Sequence, residues 1–258
     1  MSKNKLKKFA DMETFGCVLQ YPRETVVDGQ FPYRGKWHSD FFHNDNPIVL
    51  ELGCGKGEYT VALARRNPDR NYIGVDIKGA RMWTGASAAE REGLGNVAFL
   101  RTEIELISLF FAPGEVAEIW ITFPDPQMKK TRKRLTSTRF LEDYRRFLLP
   151  GAPVRLKTDS PFLFEYTRRL AELNGLPVAE FTDDLYGSGK ADAETSIKTY
   201  YESQWLSRGK KIKLISFSIP EEAPALAEPR EDDIERDDYR AYTRHTVFDL
   251  PDDIRPEL

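Results

Sequence analysis

The run Ile48-Val49-Leu50-Glu51-Leu52-Gly53-Cys54-Gly55-Lys56-Gly57 constrains this chain more than any other stretch. A short apolar segment that ends at glycine suits a strand buried on both faces, as in a parallel sheet. The glycines that follow let the backbone turn tightly and approach a ligand with no Cβ in the way. What comes next repeats the strand–helix rhythm. Residues 59–66 read as a helix closed by Asn67-Pro68, 71–76 as a strand with an acidic end, and 80–92 as a helix stopped by Gly93 and Gly95. Val97–Arg101 and Ala117–Phe123 read as further strands. This alternation predicts an α/β chain with a Rossmann-like, doubly wound, mostly parallel sheet and helices on both faces.

The rhythm continues less clearly beyond. Ser137–Leu149 reads as a helix ended by Pro150-Gly151, Pro153–Thr158 as a strand, and Pro161–Asn174 as a helix closed by Gly175. Lys213–Ser218 is expected as a late strand beside the sheet edge. Residues 1–46 hold scattered aromatics and no long periodic run, so they are read as an N-terminal arm, followed by the α/β domain over 47–219. Residues 220–258 form an acidic extension whose Pro- and Glu-rich start reads as a linker.

Composition excludes several classes. Of 258 residues 40% are hydrophobic and 31% charged, which fits a soluble globular chain, and no apolar run is long enough to span a bilayer. The basic N-terminus has no apolar segment behind it and is not read as a secretory signal. Cys17 and Cys54 are too few for a disulfide framework, so the expected setting is cytoplasmic. His38, His43 and His245 have no partners at metal-ligand spacing, and no metal is expected.

The formal net charge of −3 conceals a strong asymmetry. Lys129, Lys130, Arg132, Lys133, Arg134, Arg139, Arg145 and Arg146 crowd one stretch that holds only Glu142 and Asp143 as acids. From Pro220 onward thirteen acidic residues face five arginines. A basic strip of this kind suits a polyanion.

Each strand end also carries a candidate ligand group. Gly53, Gly55 and Gly57 form the turn, Asp76 follows the second strand where a carboxylate can accept ribose hydroxyls, and Glu103 follows the third, where it can receive an adenine amine. A dinucleotide site would place its glycines as G-x-G-x-x-G before a helix N-terminus that holds pyrophosphate. Here Glu58 stands in place of the third glycine. A carboxylate there repels a pyrophosphate but not a cationic sulfonium ligand, and Glu51 adds a second negative charge. The nucleotide end therefore reads as a site for S-adenosylmethionine.

After the fourth strand comes Phe123-Pro124-Asp125-Pro126-Gln127-Met128-Lys129-Lys130-Thr131-Arg132-Lys133-Arg134, a rigid platform leading into the basic strip. Together with Glu51–Gly57, Gly74-Val75-Asp76, Lys157-Thr158-Asp159 and Thr199-Tyr200-Tyr201-Glu202 followed by Gly209, it makes most of residues 45–218 resemble the bacterial tRNA (guanine-N7)-methyltransferase family. The resemblance implies an enzyme of the class I methyltransferase fold that moves a methyl group from S-adenosylmethionine to N7 of a guanosine in the tRNA variable loop. It places Glu51, Asp76, Glu103 and Asp125 around the cofactor and turns Lys129, Asp159, Thr199 and Glu202 toward the guanosine. Because methylation leaves the purine ring cationic, Asp125 is the expected catalytic residue. Lys130, Arg132, Lys133 and Arg134 are expected to contact RNA phosphates. One position departs: the family usually carries tryptophan where this chain has Gln127. That leaves open a methyltransferase for another RNA or a small molecule, or a non-catalytic RNA-binding relative. Monomer and homodimer are both compatible with the sequence.

Overall fold

The structure, a computed structural model, describes residues 3–222, 224–238 and 250–256. The segment from 239 to 249, which includes His245 and part of the expected acidic extension, lies outside the described residues. The chain divides into two compact units, Met1–Ile119 with Arg146–Leu149, and Trp120–Arg145 with Pro150–Leu258.

In the first unit, β2 (Ile48–Leu52) is buried along its whole length and pairs in parallel with β3 (Asn71–Asp76). β3 pairs in parallel with β4 (Val97–Arg101). Helix α3 (Glu58–Arg66) leaves the glycine turn, and α4 (Gly79–Glu92) ends at Gly93 in the left-handed conformation that glycine adopts without strain. The N-terminal arm is more regular than its sequence suggested. It forms α1 (Lys3–Thr14), β1 (Val18–Gln20) and the short α2 (Arg23–Val27). β1 is too short to show a period, and its extended backbone is fixed by parallel pairing with β4, Val18 opposite Phe99. Helix α1 packs on α4, with Trp83 Nε1 donating to Asp11 at 2.9 Å and the Lys8 ammonium 4.4 Å from the Trp83 ring centre. The scattered aromatics of the arm converge on Trp37, which is fully buried, donates to the Phe110 carbonyl at 3.0 Å and stacks on Phe111.

The chain passes into the second unit within β5 (Glu118–Thr122). That unit contains α5 (Thr138–Arg145), β6 (Pro153–Thr158), α6 (Pro161–Leu173), β7 (Val178–Thr182), α7 (Tyr200–Leu206) and β8 (Lys213–Ser218). β8 runs antiparallel to both β6 and β7. It lies one strand in from the edge, which is β7, a strand the sequence concealed because most of its residues are exposed or half-buried. Helix α5 stops four residues short of the expected Leu149. The cause is long-range pairing within the first unit: Val116 N–H donates to the Phe147 carbonyl and Leu149 N–H to the Val116 carbonyl, at 3.1 and 2.8 Å. The strands follow the order β1-β4-β3-β2-β5-β6-β8-β7, the doubly wound, mostly parallel arrangement in which ligands lie beyond the strands' carboxyl ends.

Candidate functional site

The candidate residues fall into two groups, one in each unit. In the first unit the glycine turn is laced to β3: the N–H groups of Gly53 and Cys54 both donate to the Val75 carbonyl, at 2.8 and 3.0 Å. Gly53, Gly55 and Gly57 all have positive φ, at 79°, 56° and 73°. Their roles differ. A Cβ on Gly57 would lie 2.5 Å from the Phe99 ring, so this glycine serves close packing of the turn, β4 and Gly85 of α4. A Cβ on Gly55 would meet nothing closer than the Gly53 carbonyl at 3.9 Å, which leaves its backbone approachable.

Asp76 at the end of β3 accepts from Gly55 N–H at 3.0 Å and from Lys78 N–H at 2.8 Å. Its carboxylate is thus locked between the turn and the start of α4. Glu51 is buried and accepts from both the N–H (2.9 Å) and the hydroxyl of Thr60, which pins the first turn of α3 behind the glycines. Glu58 is buried as well, 3.7 Å from the Lys56 ammonium. Burial pushes the Cys54 thiol well above its usual range, with Glu51 adding to the shift, so Cys54 stays neutral and acts as a small residue. Glu103 is exposed and pairs with Arg23 of α2 at 2.6 Å. A cavity of about 610 Å³ lies here, lined among others by Tyr21, Arg23, Ile77, Arg101, Glu103 and Leu106. Its size suits a nucleoside-sized ligand. Its lining is of mixed charge, with Arg23 and Arg101 beside Glu13 and Glu103.

In the second unit the loop after β5 carries an unusual backbone. Phe123 and Gln127 both have positive φ, at 49° and 47°, conformations that non-glycine residues rarely hold. Asp125 lies between them, exposed, and accepts from the Gln127 N–H at 2.9 Å. Phe123 N–H donates to the Lys157 carbonyl at 2.8 Å, which anchors the start of the loop to β6. Lys129, Lys130, Arg132 and Lys133 are all exposed, as an anion-binding strip requires.

Arg134 does not belong with them. It is fully buried, its Nε donates to the Pro126 carbonyl and its Nη2 to the Met128 carbonyl, each at 3.2 Å, and its Nη1 pairs with Glu231. The guanidinium also stacks on Tyr166 and Phe162, 4.4 and 4.7 Å from the ring centres. The expected phosphate contact at Arg134 is therefore corrected: its charge is consumed inside the unit.

Asp159, directly after β6, is 5% exposed and 3.7 Å from the Lys210 ammonium. Burial raises its carboxyl to about 6, with Lys210 pulling the other way. Thr199 caps α7 by accepting from the Glu202 N–H at 3.2 Å. Glu202 is fully enclosed, one oxygen 2.8 Å from the Lys157 ammonium and the other accepting from the Tyr186 hydroxyl at 2.6 Å. The expectation that Glu202 faces a guanosine is corrected in this respect: its carboxylate is engaged behind the surface. Burial pushes Lys157 down and Glu202 up, and the ion pair opposes both. Lys157, fully buried and also bonded to the Ile197 carbonyl at 2.8 Å, received no role from the sequence, although it stands in the Lys157-Thr158-Asp159 motif. Trp120, on β5 just ahead of the Asp125 loop, is fully buried. Trp205 is half-buried, with the cationic groups of Arg208 and Lys210 each 4.9 Å from its ring centre. Among the described residues no group of three or more His, Cys, Asp or Glu is placed to hold a metal ion, and no helix is long and apolar enough to cross a membrane.

The fold and the family match together define a methyltransferase. A solved structure described as that of an antibiotic-related methyltransferase superposes with a TM-score of 0.53 over 80% of this chain and 98% of its own, at 15% identity. A family model described as "Putative methyltransferase" matches residues 45–215. The chain belongs to the tRNA (guanine-N(7)-)-methyltransferase family. It is 61% identical over 236 residues to the member from Porphyromonas gingivalis, covering 90% of this chain and 96% of that one. It is 59% identical over 244 residues to the member from Bacteroides fragilis, covering 95% and 96%.

Proposed function

We propose that this protein transfers a methyl group from S-adenosylmethionine to N7 of a guanosine in the variable loop of cytoplasmic tRNA. The observation that carries the reading is Asp125: an exposed carboxylate, held by the Gln127 N–H, on a loop that runs straight into the exposed Lys129, Lys130, Arg132 and Lys133. A carboxylate followed at once by a cationic strip suits a base whose flanking phosphates need holding.

S-adenosylmethionine supplies an electrophilic methyl group on a sulfonium sulfur. Gly55, Asp76 and Glu103 are the residues that would hold it, with Glu51 acting through Thr60 to fix the turn. Guanine N7 carries a lone pair and no proton, so the protein needs no general base to create the nucleophile. Its work is alignment and electrostatics. Methylation leaves the purine cationic, and the Asp125 carboxylate opposes that charge as it develops. Asp159, when ionised, can accept hydrogen bonds from the guanine N1–H and exocyclic amine. Thr199 still has a hydroxyl proton to donate while its oxygen accepts from the Glu202 backbone N–H at the start of α7.

Incubation with labelled S-adenosylmethionine and unmodified tRNA, followed by borohydride–aniline cleavage at N7-methylated guanines, tests the proposal. Cleavage in the variable loop is expected. Label incorporated with no cleavage, or cleavage confined to another site, overturns it.

A further inference from the structure

The acidic C-terminal segment is not simply a solvated tail. Within the second unit its carboxylates reach specific donors. Glu228 accepts from the N–H and hydroxyl of Thr138 at the start of α5, and from the Tyr166 hydroxyl. Asp237 accepts from the Phe162 N–H at 3.0 Å and from the hydroxyl of Ser160, the residue after Asp159. Glu231 takes the most central position, pairing with buried Arg134 and accepting from the Thr131 hydroxyl at 3.3 Å.

Arg134 connects this segment to the acceptor loop. Its hydrogen bonds fall on the carbonyls of Pro126 and Met128, the residues on either side of Gln127. Gln127 holds a φ of 47° and supplies the N–H that fixes Asp125. A non-glycine residue in that conformation persists only where its surroundings over-determine it. Two bonds to the flanking carbonyls from one planar guanidinium supply that constraint, since the fork of donors is rigid. The guanidinium is in turn oriented by Tyr166 and Phe162 beneath it and by Glu231, its carboxylate partner.

We infer that Glu231, acting through Arg134, is a positioning residue for methyl transfer: the C-terminal segment holds the Gln127 turn in the one conformation that places Asp125 and Lys129 for the acceptor base. The inference rests on the proposed tRNA reaction. It assigns the acidic extension a role within the acceptor site. It also turns the most deeply buried residue of the basic run from an RNA contact into an internal strut.

The test compares full-length wild type with Glu231→Ala and Glu231→Gln, reading kcat and KM for tRNA, cofactor affinity by calorimetry, and melting temperature. Glu231→Ala should lower kcat on the order of tenfold or more, because small misplacements of a positioned group carry losses of that size. Cofactor affinity, measured below the melting transition, should stay near wild type, while the melting temperature should fall because buried Arg134 loses its carboxylate partner, and Glu231→Gln should restore part of it. Glu231→Gln, which keeps an acceptor oxygen for Arg134, should recover most of the lost rate. Wild-type kcat in Glu231→Ala overturns the inference, and so does Glu231→Gln as slow as Glu231→Ala. Should Glu231→Ala fail to fold, Glu231→Gln decides: a folded variant with near-normal kcat supports the clasp, and a collapse of cofactor binding and melting temperature in both assigns Glu231 to general stability. A wild-type enzyme that leaves N7 unmethylated breaks the proposed reaction instead, before the variants are compared.

Discussion

In the first unit Asp76 is fixed by the N–H groups of Gly55 and Lys78, groups that lie in the same strand–turn–helix framework. In the second, Asp125 owes its placement to Gln127, and Gln127 to Arg134, whose carboxylate partner Glu231 lies 97 residues further along the chain. One carboxylate is set by regular backbone and the other by distant side chains. The first unit should therefore lose function mainly when close packing fails. The second should lose it when a buried charge loses its partner.

The largest effect should come from the Lys157–Glu202 pair of the second unit. Both side chains are fully buried at 2.8 Å. Removing one partner of such a pair leaves an uncompensated buried charge, at a cost of about 3–5 kcal/mol. Lys157→Met should show that loss in denaturant unfolding, whereas Lys157→Met with Glu202→Leu should regain most of it. A single variant as stable as wild type would mean that the pair contributes nothing to the fold.

Packing at Gly57 is the matching test in the first unit. Alanine there would put a Cβ 2.5 Å from Phe99 at a φ of 73°. Overpacking combined with a left-handed non-glycine residue should cost about 2–4 kcal/mol. Gly57→Ala should unfold earlier and bind cofactor weakly, while Gly55→Ala, with open space before it, should lose cofactor affinity with a smaller loss of stability. Equal melting temperatures for the two would erase the distinction between them.

These contrasts explain what the sequence disclosed. Ile48–Leu52, the glycine turn and Asp76 are local signals, because a buried parallel strand, a turn and a strand end each have their own residue pattern. Lys129, Lys130, Arg132 and Lys133 were legible for the same reason: exposed charge needs no partner to be recognised. Arg134 looked identical to them, since composition cannot reveal that Pro126, Met128 and Glu231 close around it. Lys157 escaped notice because its partner Glu202 lies 45 residues away. β1 escaped because three residues show no period, and its conformation comes from β4.

Asp159 offers a smaller effect with a definite sign. It packs among Lys210, Lys213 and Asp237, and burial places its carboxyl at about 6 against an ordinary 3.8. The folded state therefore favours the protonated form. This group's contribution to stability is complete below pH 3.8 and is lost as pH rises through about 6. Its proposed use runs the opposite way, because only the ionised form accepts hydrogen bonds from guanine. kcat/KM for tRNA should fall as pH drops below about 6, the value of Asp159 in the folded protein. Asp159→Asn should remove that limb, lower activity at pH 8, and raise the melting temperature at pH 8 but not at pH 4. An unchanged acid limb in Asp159→Asn would assign the titration elsewhere.

The smallest effect separates exposed charge by location. If Lys130 and Arg132 hold RNA phosphates, replacing both with alanine removes two contacts, and the slope of log affinity against log salt should become shallower by about 1.4–1.8. The matched change in the first unit is Arg65→Ala with Arg91→Ala. Both of those guanidinium groups already pair with Glu92, at 2.7 and 3.0 Å, so the slope should not move. The measurement is tRNA binding at several salt concentrations for wild type and the two double variants. Because each exposed contact carries little energy by itself, the slope is the sensitive readout and affinity at one salt concentration is not. Identical slopes for all three proteins would reduce the Lys129–Lys133 strip to ordinary solvated surface, and RNA would then have to be held by another part of the chain.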